Sequence, residues 1–183
     1  MKMVSMPPRC ENVLELLDWI ELSKVFILTS CAAVVRAAQH CCERGVFHRD
    51  IKPENLLINT KTLQVKLIDF GCGDLMYDFT YTKFEGPLVF ASPEWVRDKE
   101  YMGGPTTVWS LGILLYYMVC SDLPFKNIKE ISDAPVPLLR YLSGDCQALI
   151  TGCLEKNPDY RLTLENIPQP RLVLGETSGD GPC

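Results

Sequence analysis

The chain has 183 residues, 47% of them hydrophobic and 22% charged, and a net charge of −5, which suits one domain with a real core. An acidic balance argues against nucleic-acid binding, which favours clustered Lys and Arg, and leaves basic proteins or peptides as easier partners. The longest apolar run, Val108 to Cys120, is broken by Ser110 and Gly112 and falls short of the roughly 20 residues a membrane helix needs, so no membrane partner is expected.

Nine cysteines are irregularly spaced, contain no Cys-x-x-Cys pair, and have only His40 and His48 as companions. Reduced thiols are expected rather than disulfides or a zinc site. Pro7-Pro8 interrupts the N-terminal region before a hydrophobic leader develops, so cytoplasmic or nuclear residence is the expectation.

In chain order, Val13 to Ile20 and Val25 to Leu28 predict a β-hairpin around the polar turn at 21–24. Ala32, Val35, Ala38 and Cys42 recur at helical spacing between Cys31 and Arg44, and Gly45 stands where a left-handed residue would end that helix. Leu56-Leu57-Ile58 and Val65-Lys66-Leu67-Ile68 predict a second hairpin that delivers the chain to Asp69. Residues 72–93 are rich in loop formers, as an exposed adjustable segment would be. The run from Thr106 to Cys120 is apolar on nearly all sides, which predicts a central helix ending before Pro124. Ser143 is placed to cap a helix over Gly144 to Glu155, and Thr163 a last short turn. Beyond Pro168 a frayed tail is expected.

The chemistry concentrates in His48-Arg49-Asp50-Ile51-Lys52-Pro53-Glu54-Asn55, followed nineteen residues after Asp50 by Asp69-Phe70-Gly71. Taken singly, Asp50 would be a turn aspartate, Lys52 a solvated lysine, His48 a core histidine, and Glu94 and Arg161 surface charges. Gly71-Cys72-Gly73 does not make a dinucleotide fingerprint, because Met76 occupies the place of a third glycine.

Together these residues resemble the catalytic centre of a protein kinase. The resemblance implies an α+β, protein-kinase-like fold, mainly the helical C-lobe with a remnant β-hairpin of the N-lobe. It divides the chain into 1–30 (hairpin remnant), 31–168 (C-lobe with catalytic loop, activation segment and central helix) and 169–183 (flexible tail). Asp50 and Lys52 would be catalytic, the first accepting the proton of the acceptor hydroxyl and the second neutralising the transferred phosphoryl. Asn55 and Asp69 would hold Mg²⁺ beside ATP. His48 would brace the loop, and Arg49 would pair with an anionic group of the activation segment. Thr80, Tyr81 and Thr82 are candidate phosphoacceptors there, with Asp78 and Glu85 as candidate fixed carboxylates. Phe70 would pack inward beside the turn at Gly71, and Glu94 would form a buried pair with Arg161.

Lys52 marks the serine/threonine type. The closer resemblance is to the Pim group, through Leu67-Ile68-Asp69-Phe70-Gly71-Cys72-Gly73, Tyr81-Thr82, Pro93-Glu94-Trp95 and Val108 to Tyr116. Thr107 stands where most kinases carry aspartate, which fits that group, and Glu54 matches a position that recognises basic residues in protein substrates.

There are also departures from the family's pattern. No glycine-rich loop, Val-Ala-x-Lys strand or partner glutamate is recognised before Val13, and Thr29-Ser30 is too short for the family's adenine-binding hinge and the helix after it. Pro87 replaces a threonine whose hydroxyl bridges the catalytic aspartate and lysine, and Asp133 to Pro137 looks shortened. The resemblance therefore implies transfer of the ATP γ-phosphate to Ser or Thr, with weak or absent turnover expected of this chain. The rivals are a pseudokinase-like protein-binding module and an incomplete gene model.

Overall fold

A computed structural model describes residues 30–59, 61–62, 64–137 and 142–167. The hairpin expected over Val13 to Leu28 and the tail beyond Pro168 lie outside the described residues.

Helix α1 runs over residues 30–43. Arg44 and Gly45 donate their N–H groups to Cys41 and Cys42 O, and Gly45 takes φ +72°, the left-handed ending expected of glycine. Strand β1 (Val46–Phe47) leads into the catalytic-loop motif. A 3₁₀ turn over Pro53–Asn55 precedes β2 (Leu56–Asn59), which pairs antiparallel with β3 (Gln64–Leu67), Leu56 facing Leu67 and Asn59 facing Gln64. β4 (Asp74–Leu75) returns to pair antiparallel with β1, Val46 facing Leu75. The two small sheets thus flank the loop between them.

After a 3₁₀ turn at Leu88–Phe90 the chain is helical: α2 (Pro93–Asp98), α3 (Gly103–Cys120), α4 (Ile128–Asp133) and α5 (Gly144–Cys153). The short helices α2 and α4 carry too few residues to show a periodic stripe and were not foreseen. α3 begins three residues before the expected Thr106, with Pro105 inside its first turn. Proline is tolerated there because first-turn N–H groups have no partner within the helix. α5 is capped as expected, Cys146 N–H donating to Ser143 Oγ at 3.3 Å, but stops at Cys153 rather than Glu155.

α3 is apolar all round because it serves two cores. One face gives Val108, Leu111 and Leu114 to a cluster with Val34 and Ala38 of α1, Ile51, Cys153, Leu164 and Ile167. The other gives Trp109, Ile113 and Tyr116 to a cluster with Phe125, Ile131, Ile150 and Leu154. Close packing against α5 depends on Gly112, where a β-carbon would fall 2.7 Å from Cys153 Cβ. The seven described cysteines are all free thiols, and no helix among the described residues is long and apolar enough to cross a membrane.

Candidate active site

The site is assembled on the loop between β1 and β2. His48 is buried, its Nε2 3.0 Å from Ile68 O, while Nδ1 accepts the Asp50 N–H at 3.3 Å. That pattern fits the tautomer with its proton on Nε2. Burial is the largest influence on the imidazole and lowers its pKa, outweighing the Ile68 bond that opposes it. His48 is therefore held neutral as a strut between the loop and the residue before Asp69.

Arg49 adopts φ +68°, and its side chain is 8% exposed. It donates to Asp74 Oδ2 at 2.9 Å and to Lys83 O at 2.7 Å, with Glu85 Oε1 at 4.0 Å. The anionic partner expected for Arg49 is thus chiefly Asp74 of β4, with Glu85 at the limit of ion-pair distance. Sequence reading missed Asp74 because nothing local marks it: β1/β4 pairing brings it back to the loop.

Asp50 is 7% exposed. Its Oδ2 accepts from Lys52 Nζ at 2.6 Å and from Asn55 Nδ2 at 2.9 Å, and Asn55 Nδ2 also reaches Asp50 O at 2.7 Å. The 3₁₀ turn at Pro53–Asn55 makes this possible by folding Asn55 back under Asp50, with Glu54 on its exposed side. The hydrogen bond that Lys52 donates to Asp50 raises its pKa, and the lysine stays protonated.

Ile68 N–H donates to Asn55 O at 2.9 Å at the base of the β2/β3 hairpin, so Asp69 emerges next to Asn55. Asp69 is left-handed, with φ +64°, and its Oδ1 accepts the Gly71 N–H at 3.2 Å. A β-carbon at Gly71 would lie 3.1 Å from that same oxygen. Asn55 uses its nitrogen on Asp50, which turns its amide oxygen, with the exposed Asp69 carboxylate, into a hard-donor pair suited to Mg²⁺. No group of three or more His, Cys, Asp or Glu among the described residues could hold a metal. Mg²⁺ fits such a sparse site because it keeps several waters and completes its shell with phosphate oxygens. Phe70 does not pack inward as expected: it is 44% exposed and lays its ring on His48, centroids 4.5 Å apart.

Asp50 opens on a shallow groove bounded by Phe84, Glu85, Gly86, Pro87 and Phe90. Thr80 and Thr82 are exposed, whereas Tyr81 is buried with its hydroxyl donating to Leu75 O at 2.5 Å. Tyr81 is thus a packing residue, stacked on Tyr101 and tilted against Phe47. Below the groove Arg161 holds Glu94 in a two-pronged pair, NH1 to Oε1 at 2.9 Å and NH2 to Oε2 at 2.8 Å. Ser92 spends its hydroxyl on Thr106 at 3.2 Å rather than on capping α2, and Thr106 donates to Glu94 Oε1 at 3.2 Å. That hydroxyl relay escaped sequence reading. Thr107 donates to Gly103 O at 2.7 Å within its own helix.

A carboxylate held by a lysine and an amide, beside a left-handed aspartate at the mouth of a hairpin, is an arrangement suited to phosphoryl transfer of the protein kinase type. The chain belongs to the protein kinase domain family, whose match covers residues 9–173. It is similar to the serine/threonine-protein kinase pim-2 of Danio rerio, 47% identical over 148 residues, which are 81% of this chain and 48% of that protein. It also resembles the serine/threonine-protein kinase prk-2 of Caenorhabditis elegans, 39% identical over 69% of this chain and 30% of that protein. The carbon catabolite-derepressing protein kinase of Candida tropicalis is 38% identical over 73% of this chain and 23% of its own length. The chain therefore spans about half the length, or less, of these curated relatives. Its fold is that of a protein kinase domain, represented mostly by the helical lobe, and the family is one that uses ATP with Mg²⁺ and acts on proteins.

Proposed function

We propose that these residues form the acceptor and metal half of a serine/threonine protein kinase centre. The supporting observation is that Lys52 and Asn55 converge on Oδ2 of Asp50. Asp50 accepts the proton of a substrate serine or threonine hydroxyl as its oxygen attacks the γ-phosphorus of ATP. The bond from that phosphorus to the bridging oxygen breaks, and ADP leaves. Lys52 places its positive charge beside the moving phosphoryl group, and Asn55 and Asp69 would hold Mg²⁺, which would supply charge neutralisation for the phosphates. His48 and Arg49 are positioning residues, bracing Asp50 and the segment after Asp69. The exposed Glu54 favours substrates with basic residues near the acceptor.

Turnover by this chain is expected to be slow. Pro87 brings no hydroxyl to the groove beside Asp50, and Thr29-Ser30 is too short for an adenine-binding hinge and the helix after it. Positioning of reactants supplies roughly 7–11 kcal/mol of barrier reduction in favourable cases, which Asp50 alone cannot replace.

The test is incubation of the purified chain with γ-labelled ATP, Mg²⁺ and a basic serine peptide. Slow label transfer that Asp50→Asn lowers by about 10²–10⁴ supports the reading. Peptide labelling that is indifferent to Asp50→Asn overturns it, and absent labelling, the other outcome expected of this chain, favours a protein-binding module.

A further inference from the structure

Asp50 presents two unlike oxygens. Oδ2 receives both Lys52 Nζ and Asn55 Nδ2, while Oδ1 faces the position a β-carbon would take at Gly86 across the groove. A β-carbon at position 86 would stand 3.1 Å from Oδ1, 3.9 Å from Cγ and 3.6 Å from Arg49 O. Those distances put it in the space from which a hydroxyl oxygen would donate to Oδ1, because such a bond needs the donor at about 2.5–3.0 Å.

Glu85 pairs with Lys83 at 2.6 Å, and Pro87, at φ −69°, accepts the Phe90 N–H at 2.9 Å. Gly86 itself takes φ +106°, a conformation that L side chains rarely adopt. A β-carbon there would be strained by the backbone and crowded against Asp50.

We propose that Gly86 is a positioning residue for the acceptor: its missing side chain reserves the Oδ1 face of Asp50 for the incoming hydroxyl. The inference rests on the reading of Asp50 as the hydroxyl's partner, and it extends that reading to a residue on the opposite wall of the groove. Conformational freedom alone does not account for the site, since Gly45 also has positive φ yet meets nothing within 4 Å.

The experiment measures affinity, not turnover. Fluorescence anisotropy compares a basic peptide bearing serine with the same peptide bearing alanine, on the full chain and on three variants. A hydroxyl bonded to a carboxylate should give the full chain a serine preference of about tenfold. Gly86→Ala should abolish that preference while leaving alanine-peptide affinity within about twofold. Gly86→Asn, whose residue type tolerates positive φ better, should do the same. Gly45→Ala also puts a β-carbon on a positive-φ residue, but away from the groove, and should keep the preference.

A serine preference retained in both folded Gly86 variants overturns the inference while leaving the role of Asp50 intact. Loss of folding in both variants while Gly45→Ala folds also overturns it, assigning Gly86 to the backbone alone. No serine preference in the unaltered chain overturns the reading of Asp50, and with it the role of Gly86.

Discussion

Arg161 and Glu94, sixty-seven residues apart in sequence, meet with both guanidinium nitrogens on both carboxylate oxygens at 2.8–2.9 Å, their side chains 0% and 7% exposed. Arg161 also donates to Glu155 O and Pro105 O, and lies over the Trp109 ring. The pair therefore ties the start of α2 to the start of α3 and to the chain after α5.

Removing one partner leaves the other charge buried, and Glu94→Gln or Arg161→Met should each cost about 3–5 kcal/mol of stability. Burial by itself would raise the Glu94 pKa, but the hydrogen bonds and charge of Arg161 overcome it and hold the carboxyl below its ordinary 4.5. The stabilisation is thus complete above about pH 4.5 and is lost as pH falls through the lower folded value. Urea midpoints of the chain and of Glu94→Gln, followed from pH 7 downward, should converge only at the acid end. A difference that vanishes already at neutral pH would refute this role.

Lys156 acts in the same sense, but in the alkaline range. Its Nζ donates to Ile131 O at 2.5 Å and Glu130 O at 3.3 Å, and sits 3.6 Å above the Phe125 ring. Burial, then the charge of Arg161, lowers its pKa from 10.5 to about 8. Between those values the unfolded chain holds a proton that the folded chain has released, so this residue makes stability rise with pH across that window. The stability difference between the chain and Lys156→Met should shift in favour of the chain from pH 8 toward 10.5. A flat difference across the window would count against the lowered pKa.

Pro87 offers a gain of function. It borders the groove at Asp50, and its φ −69° and ψ 135° are ordinary for threonine. Pro87→Thr should place a hydroxyl where it can bridge Asp50 and Lys52, raising peptide phosphorylation roughly tenfold for one added hydrogen bond to a charged group. Unchanged kcat/KM in a folded Pro87→Thr chain would show that the direct 2.6 Å contact between Lys52 and Asp50 already does that task.

Local chemistry made much of this legible in advance. Gly45 ended α1, Ser143 capped α5, and the hairpin from Leu56 to Leu67 formed in the expected place. Each depends on residues within a few positions of one another, and the sequence displays that information directly. The failures share a cause as well. Phe70 is exposed, Tyr81 is buried, and α2 and α4 are too short to show a period. Packing against distant segments decides all of these.

The sequence by itself determined the family and the chemical identity of the site: the spacing of Asp50, Lys52, Asn55 and Asp69 and the all-apolar central helix are readable without coordinates. Only the tertiary structure decided which oxygen of Asp50 is occupied, that Asp74 neutralises Arg49, and that Gly86 faces Oδ1. The last two contacts join residues twenty-five and thirty-six positions apart, through strand pairing and loop return. Residue type fixes what a group can do chemically, but only the folded path fixes what it faces.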